Sequence, residues 1–426
     1  MILKDKFHVY FFSFLILLSY FFGFYLNEDS AGGGRSDLYE HEWGNVQLFI
    51  NNNILDALRD PKYESSRTPL YLLINKYNFF ASTIEGLRAS YFIFSLSIPV
   101  ALFFLLKKIF KKVDIKILVF LSLIPLLSPY FRSSAFWANQ ENLAILFIII
   151  SLFFFVDLLE NKKKLYFNNL INSSIASFFS FLAFYSDQKA VFLVILIYFM
   201  LVKKNDLKFF FSFSFINFLF FIPTIYLFYI WGGIVPIESQ FRITTNLSGL
   251  NIFISNIGIY VLPIIFILII KKDLKKYLKI DFTNLLILIF ISLLLIYFLP
   301  IEPKFEGNGI IFKLISVINQ KFELNWNFIK FLYFFINLIF LFFLLNLFEK
   351  KFENLVFFII FAVIFSSTSF TYQSYVDPLF FILLFGCFKL RNNLQLASLP
   401  FAYSFFIFYI GMLTFSILFR KFIYIT

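Results

Sequence analysis

The sequence predicts an all-α polytopic membrane protein with about eleven to thirteen spanning helices, and three observations predict it. Hydrophobic residues make up 60% of the 426-residue chain, well above the roughly 45–50% of a globular protein, so no soluble core could absorb them. Apolar runs of roughly 20 residues, the length that crosses the hydrocarbon of a bilayer, recur from end to end. Between them the Lys residues gather in short clusters on every second connection, which is the positive-inside pattern.

Those clusters also explain the net charge of +12. They set orientation and form no nucleic-acid-binding face, so no nucleic acid partner is expected. A single Cys, Cys387, excludes an intrachain disulfide, and two His, His8 and His41, leave no basis for a Cys/His metal site. The chain is expected to form one transmembrane domain over residues 1–426, with no sizeable soluble part.

In order, residues 9–26 form the first span, preceded by Lys4 and Lys6, which places the N-terminus in the cytoplasm. The run is too long for a signal peptide and has no small-residue cleavage site, so it reads as a retained helix. Residues 27–88 then form a long first outer loop. Inside it, residues 42–58 carry Val46, Phe49, Ile50, Ile54, Leu55 and Leu58 near helical spacing, the pattern of an amphipathic helix in the membrane interface. Pro69 opens a short apolar run ending near Phe80, which reads as a second interfacial helix or a re-entrant segment. Further spans follow at 90–106, 117–131, 142–159, 170–185, 190–202, 209–231, 252–270, 285–299, 328–347, 355–369, 379–388 and 396–419. The last would leave the C-terminus outside, against the sign of Arg420 and Lys421.

Chemistry is expected on the outer face, because the outer connections hold acids, Gly and Pro where the inner ones hold mostly Lys. The first of them, NEDSAGGGRSDLYEHE from Asn27 to Glu42, places Glu28, Asp29, Asp37, Glu40, His41 and Glu42 around Gly32, Gly33 and Gly34. Acids at the mouth of a membrane segment are costly unless they pair, bind a cation or do chemistry. Asp37 and Asp29 are therefore the candidate general bases. Arg67, Arg132, Lys189 and Arg242 are cations on the side that the positive-inside rule disfavours, where an anion such as a phosphate is a natural guest. The alternative is snorkelling to headgroups. Glu141 is placed to pair with Arg132, and Asp187 to form a turn pair with Lys189. Trp137, Trp231, Tyr130 and Tyr372 read by default as interfacial belt aromatics. Asp377 and Pro378 read as the start of a helix.

An N-terminal helix followed at once by an acidic outward loop (EDSAGGGRSDLYEH), then interfacial helices, a Pro-bearing segment (SSRTPLYLL) and many helices with short loops resembles the GT-C glycosyltransferases. The polar turn leading into a helix through Glu141 (SPYFRSSAFWANQENLAILF) and the short turn SDQKAVFL, with Lys189, are similar to stretches of that superfamily. The resemblance implies a GT-C-like fold and an integral, multi-pass location in a bacterial inner or plasma membrane with the active site outward. It implies transfer of a sugar from a polyprenyl-phosphate donor to a lipid-linked glycan, polysaccharide or protein acceptor, with inversion. Asp37 is then the base and Asp29 its second choice or partner. Arg67, Lys189, Arg132, Arg242, Glu141 and Tyr372 lie around the donor phosphate and substrate. The first loop departs from the family in lacking an Asp-Asp or Asp-Glu pair, since Glu28 precedes Asp29 and Asp37 stands alone. No cofactor is fixed by the residues, and oxygen-only ligands would suit Mg²⁺ or Mn²⁺. Two other readings stay open: an O-antigen-type polymerase or ligase, and a transporter or lipid flippase.

Overall fold

A computed structural model shows helices joined by short turns, with no β-strand among the described residues, which are 2–63, 68–160, 166–204, 207–236, 249–277, 282–297, 309–349, 352–368, 371–388 and 396–422. Six helical segments among them are long and apolar enough to cross a membrane: His8–Tyr25, Ile84–Ile109, Leu207–Trp231, Leu250–Ile270, Trp326–Leu347 and Leu399–Phe419. A seventh candidate is the bent pair Ile115–Leu127 and Pro129–Phe136, and shorter apolar helices such as Glu141–Val156 and Gln188–Val202 accompany them. This is the helical architecture of a multi-pass membrane protein. The chain divides into two compact units, Met1–Gln240 with Tyr409–Thr426, and Phe241–Phe408.

The first unit contains α1 (Ile2–Tyr25), α2 (Trp43–Asn51), α3 (Ile54–Arg59), α4 (Leu70–Lys76), α5 (Ile84–Ser95), α6 (Ser97–Ile109), α7 (Ile115–Leu123), α8 (Pro129–Phe136), α9 (Glu141–Glu160), α10 (Tyr166–Ser186), α11 (Val191–Lys204) and α12 (Leu207–Trp231). Local chemistry sets several boundaries. Asp114 caps α7 by accepting from the Lys116 N–H, and Thr83 caps α5 by accepting from the Gly86 N–H. The stretch 42–58, expected as one amphipathic helix, is two, because Asn53 turns extended and accepts from the Asp56 N–H to start α3. The stretch 117–131, expected as one span, breaks at Ser128. That residue caps α8, Pro129 fills its first turn, and the chain bends by 70°. The core beside this bend is aromatic: Tyr20 and Phe24 of α1 stack on Phe92 of α5 at 5.4 and 4.3 Å, and Phe136 of α8 joins them. The Lys108 ammonium closes the opposite end of α6, donating to the Phe153 carbonyl of α9 at 2.6 Å.

The second unit contains α13 (Leu250–Gly258), α14 (Leu262–Ile270), α15 (Phe282–Tyr297), α16 (Gly309–Phe322), α17 (Trp326–Leu347), α18 (Phe352–Ser366), α19 (Leu379–Gly386) and the start of α20 (Leu399–Phe422). Phe312 and Ile315 of α16 pack on Ile329 and Tyr333 of α17. A buried polar seam runs along α13. The hydroxyls of Ser255 and Tyr333 lie 2.8 Å apart, and Asn337 donates to the Asn251 carbonyl at 3.2 Å. On another side of α13, Asn256 donates to the Thr371 carbonyl and Gln373 donates to the Asn256 carbonyl, both at 3.0 Å. The Tyr260 hydroxyl donates to the buried carboxylate of Asp377. Pro378 immediately precedes α19, the helix start expected there.

Candidate functional site

The acidic loop is built on the end of α1. Asn27 turns to φ +53°, the Glu28 N–H returns to the Gly23 carbonyl at 2.9 Å, and the chain leaves the helix. Gly33 at φ +98° turns it again, and residues Asp37–Glu42 form a π-helical turn before α2. Such turns are rare and frequent at functional sites.

The loop is docked on α8. Arg132, only 2% exposed, donates from Nε and Nη2 to the two Glu28 carboxylate oxygens, at 2.8 and 2.5 Å. Its other donors go to the Ser19 carbonyl at 2.8 Å and to the Ser19 hydroxyl and Leu126 carbonyl, both at 3.3 Å. The five N–H groups of a guanidinium are thereby used. The pair lies flat on α1 because residue 23 is Gly: a Cβ there would come within 2.1 Å of Arg132 Nη2. Ser30 donates to the Pro129 carbonyl, Ser133 accepts from the Ala31 N–H, and Trp137 Nε1 donates to the Glu28 carbonyl at 2.9 Å.

This docking fixes Asp29. The Ser133 hydroxyl donates to its Oδ1 at 2.7 Å, and the Arg35 backbone N–H donates to its Oδ2 at 3.3 Å. Asp29 is half-buried and lines an open cleft of about 680 Å³ with Asn27, Gly33, Arg35, Ser36, Tyr39 and Glu40. The Arg35 guanidinium lies over the rings of Tyr39 and Trp137, at 5.8 and 5.7 Å, and among the described residues forms no ion pair. Arg88 of α5 lies 3.9 Å over the same indole and donates to the Phe136 carbonyl and to Asn27 Oδ1, at 2.9 and 2.7 Å. Asp29 and Arg35 thus line one cleft, and the Arg35 and Arg88 guanidiniums both lie over the Trp137 indole. The arrangement can accept a proton at Asp29 and hold an anion at Arg35.

The structure sorts the expected residues. Asp29 is in the cleft, whereas Asp37 is exposed at the start of the π-helical turn and is not among the cleft-lining residues. Arg132, expected as an anion site or as the partner of Glu141, is instead consumed by Glu28. Glu141 starts α9 and accepts from the Ser134 hydroxyl at 3.3 Å. Lys189 forms the expected turn pair with Asp187, at 3.3 Å. Tyr372 belongs to the second unit, where it packs against Tyr375 at 5.4 Å. Arg67 and Arg242 lie outside the described residues. Trp137 and Trp231 are not belt residues, being 2% and 6% exposed; one is stacked under Arg88 and the other lies against Tyr63.

Sequence reasoning passed over Arg35 and Arg88. The signal that finds them is the one applied to the other cations: both lie in or beside the first outer loop, on the side orientation disfavours. No three His, Cys, Asp or Glu among the described residues converge as metal ligands. The cleft offers only the carboxylates of Asp29 and Glu40, which do not amount to a divalent-ion cage. No family model, curated protein or solved structure matches the chain.

Proposed function

We propose that the chain is a membrane glycosyltransferase of GT-C type that takes a sugar from a polyprenyl-phosphate carrier and transfers it to a hydroxyl of a glycan, lipid or protein acceptor. In this reading the eleven-to-thirteen-span topology holds, α2 to α4 lie in the interface, and the cleft opens to the outer face. One observation carries it: a carboxylate held by a side-chain hydrogen bond faces an open cleft beside the Arg35 guanidinium, which forms no ion pair among the described residues, at the end of a membrane helix.

Asp29 takes over the role of base from Asp37. As the acceptor oxygen attacks the anomeric carbon, Asp29 accepts its proton. The bond from that carbon to the phosphate oxygen breaks, and its electron pair leaves with the carrier phosphate. Arg35 meets the growing negative charge, the electrostatic role that contributes most to such steps, and Arg88 holds Trp137 and Asn27 beside it. One displacement inverts the anomeric centre. Ser133 keeps Asp29 aimed at the cleft, and Arg132 acts only by pinning the neighbouring Glu28.

The test is transfer of labelled sugar from a panel of polyprenyl-phosphate sugars in membranes carrying the wild-type chain, Asp29→Asn or Asp37→Asn at matched protein levels. Loss of a general base costs about 10²- to 10⁴-fold, and that loss is expected for Asp29→Asn, with Asp37→Asn within a few-fold of wild type. The reverse order would return the base to Asp37. No transfer from any donor would overturn the reading and favour a lipid translocator.

A further inference from the structure

The turn between α4 and α5 presents three aromatic side chains outward: Tyr77 is 76%, Phe79 88% and Phe80 61% exposed. They do not belong to the lipid-facing surface of a spanning helix, and between Lys76 and Glu85 no residue is charged. The turn is held in shape. The Asn78 side chain accepts from the Phe80 N–H at 3.1 Å and donates to Asn75 Oδ1 and to the Ser90 hydroxyl of α5, at 3.3 and 3.1 Å. Ala81, between the rings and α5, is fully buried. The Phe80 carbonyl presses on the first turn of α5 so closely that a Cβ on Gly86 would come within 2.2 Å of it. Behind it, the Lys76 ammonium bridges the carbonyls of Phe49 and Asn52 at 2.6 Å each, fastening α4 to the end of α2.

Exposing two Phe and a Tyr to water on a braced turn forgoes the burial of their apolar surface, unless something apolar receives them. Their position indicates what that is. The turn abuts the start of the span Ile84–Ile109, which exposes Ile93, and α1, packed on that span through Phe21 and Phe24 against Phe92, exposes Phe21, Phe22 and Tyr25. Aromatic side chains at such a level favour the boundary between headgroups and acyl chains.

We propose that Tyr77, Phe79 and Phe80 form a braced aromatic wedge that enters the interfacial layer of the bilayer leaflet at the Ile84 end of α5. The same end carries the acidic cleft, through the bond from Arg88 to Asn27. The wedge therefore sets the height of the cleft above the lipid, whatever reaction the cleft performs.

The test is independent of activity. A nitroxide is placed at Phe79→Cys in a Cys387→Ala background, in nanodiscs of phosphatidylcholine and phosphatidylglycerol, with Phe80→Cys as a second site. Collisions with oxygen and with a water-soluble nickel chelate are compared with those at Ile93→Cys, on α5, and at Lys112→Cys, exposed in the charged turn after α6. The wedge predicts nickel collisions several-fold lower than at position 112 and an oxygen-to-nickel ratio near that of position 93. Nickel collisions equal to those at position 112 would overturn it. So would dipolar broadening that vanishes on dilution with unlabelled protein, which would assign the face to a second copy of the chain.

Discussion

The acidic loop of the first unit and the polar seam of the second are both dense with polar groups, and they differ in what is left over. In the loop, one ion pair is sealed beneath the surface with all five guanidinium donors consumed, and the groups above it, Asp29 and Arg35, line an open cleft. In the seam, amides and hydroxyls of Asn251, Ser255, Asn256, Tyr333, Asn337 and Gln373 bond across buried surfaces, and what is left over is neutral and buried: the side-chain oxygens of Asn256, Asn337 and Gln373 have no hydrogen-bond partner among the described residues. Polarity alone therefore does not mark a site. A site needs a rigid, satisfied floor and charged groups above it that still have valence to offer, and the first unit supplies both.

The sharpest way to break this comparison is to remove the floor. Arg132→Met leaves Glu28 without its counter-charge, and losing one partner of a buried pair costs about 3–5 kcal/mol. Unfolding in detergent should show that loss, and Glu28→Gln combined with Arg132→Met should recover most of it. A single variant as stable as wild type would mean the pair is not the floor. The seam is tested by Gly309→Ala. This residue has φ +80°, and its added Cβ would lie 1.8 Å from Asn256 Oδ1, so a loss of about 1–3 kcal/mol is expected. Gly411→Ala, with nothing within 4 Å, serves as the neutral control for the same measurement. The smallest effect belongs to Lys189→Gln, about 1 kcal/mol or less, because Asp187 keeps its bond from the backbone N–H of residue 189. A larger loss would make that turn a second structural floor.

What the sequence made legible was whatever local pattern controls. Runs at 209–231 and 328–347 anticipate α12 and α17 to within two residues, since length and hydropathy decide a membrane helix. The bend at Ser128 was also written locally, in a capping Ser followed by Pro, but an apolar run on both sides concealed it. The acidic loop was found as a stretch because acids at a membrane boundary stand out. Its internal assignment was not, because it depends on partners far along the chain. Asp29 is distinguished from Asp37 by Ser133, and Trp137 is drawn inward by Arg88. The Arg132 side chain chose Glu28 over Glu141, which lies nine residues away in sequence. Spacing cannot rank such contacts.

The distance along the chain between Glu28 and Arg132, 104 residues, also has a meaning in time. At about 5–20 residues per second of synthesis, the acid waits roughly 5–20 s for its base to emerge. Through that interval Glu28 and Asp29 must stay in water, with α1 already inserted and nothing yet beneath them. Docking of the loop is therefore a late event of assembly, and the cleft comes into being only when the half-helix carrying Arg132 bends back to receive it.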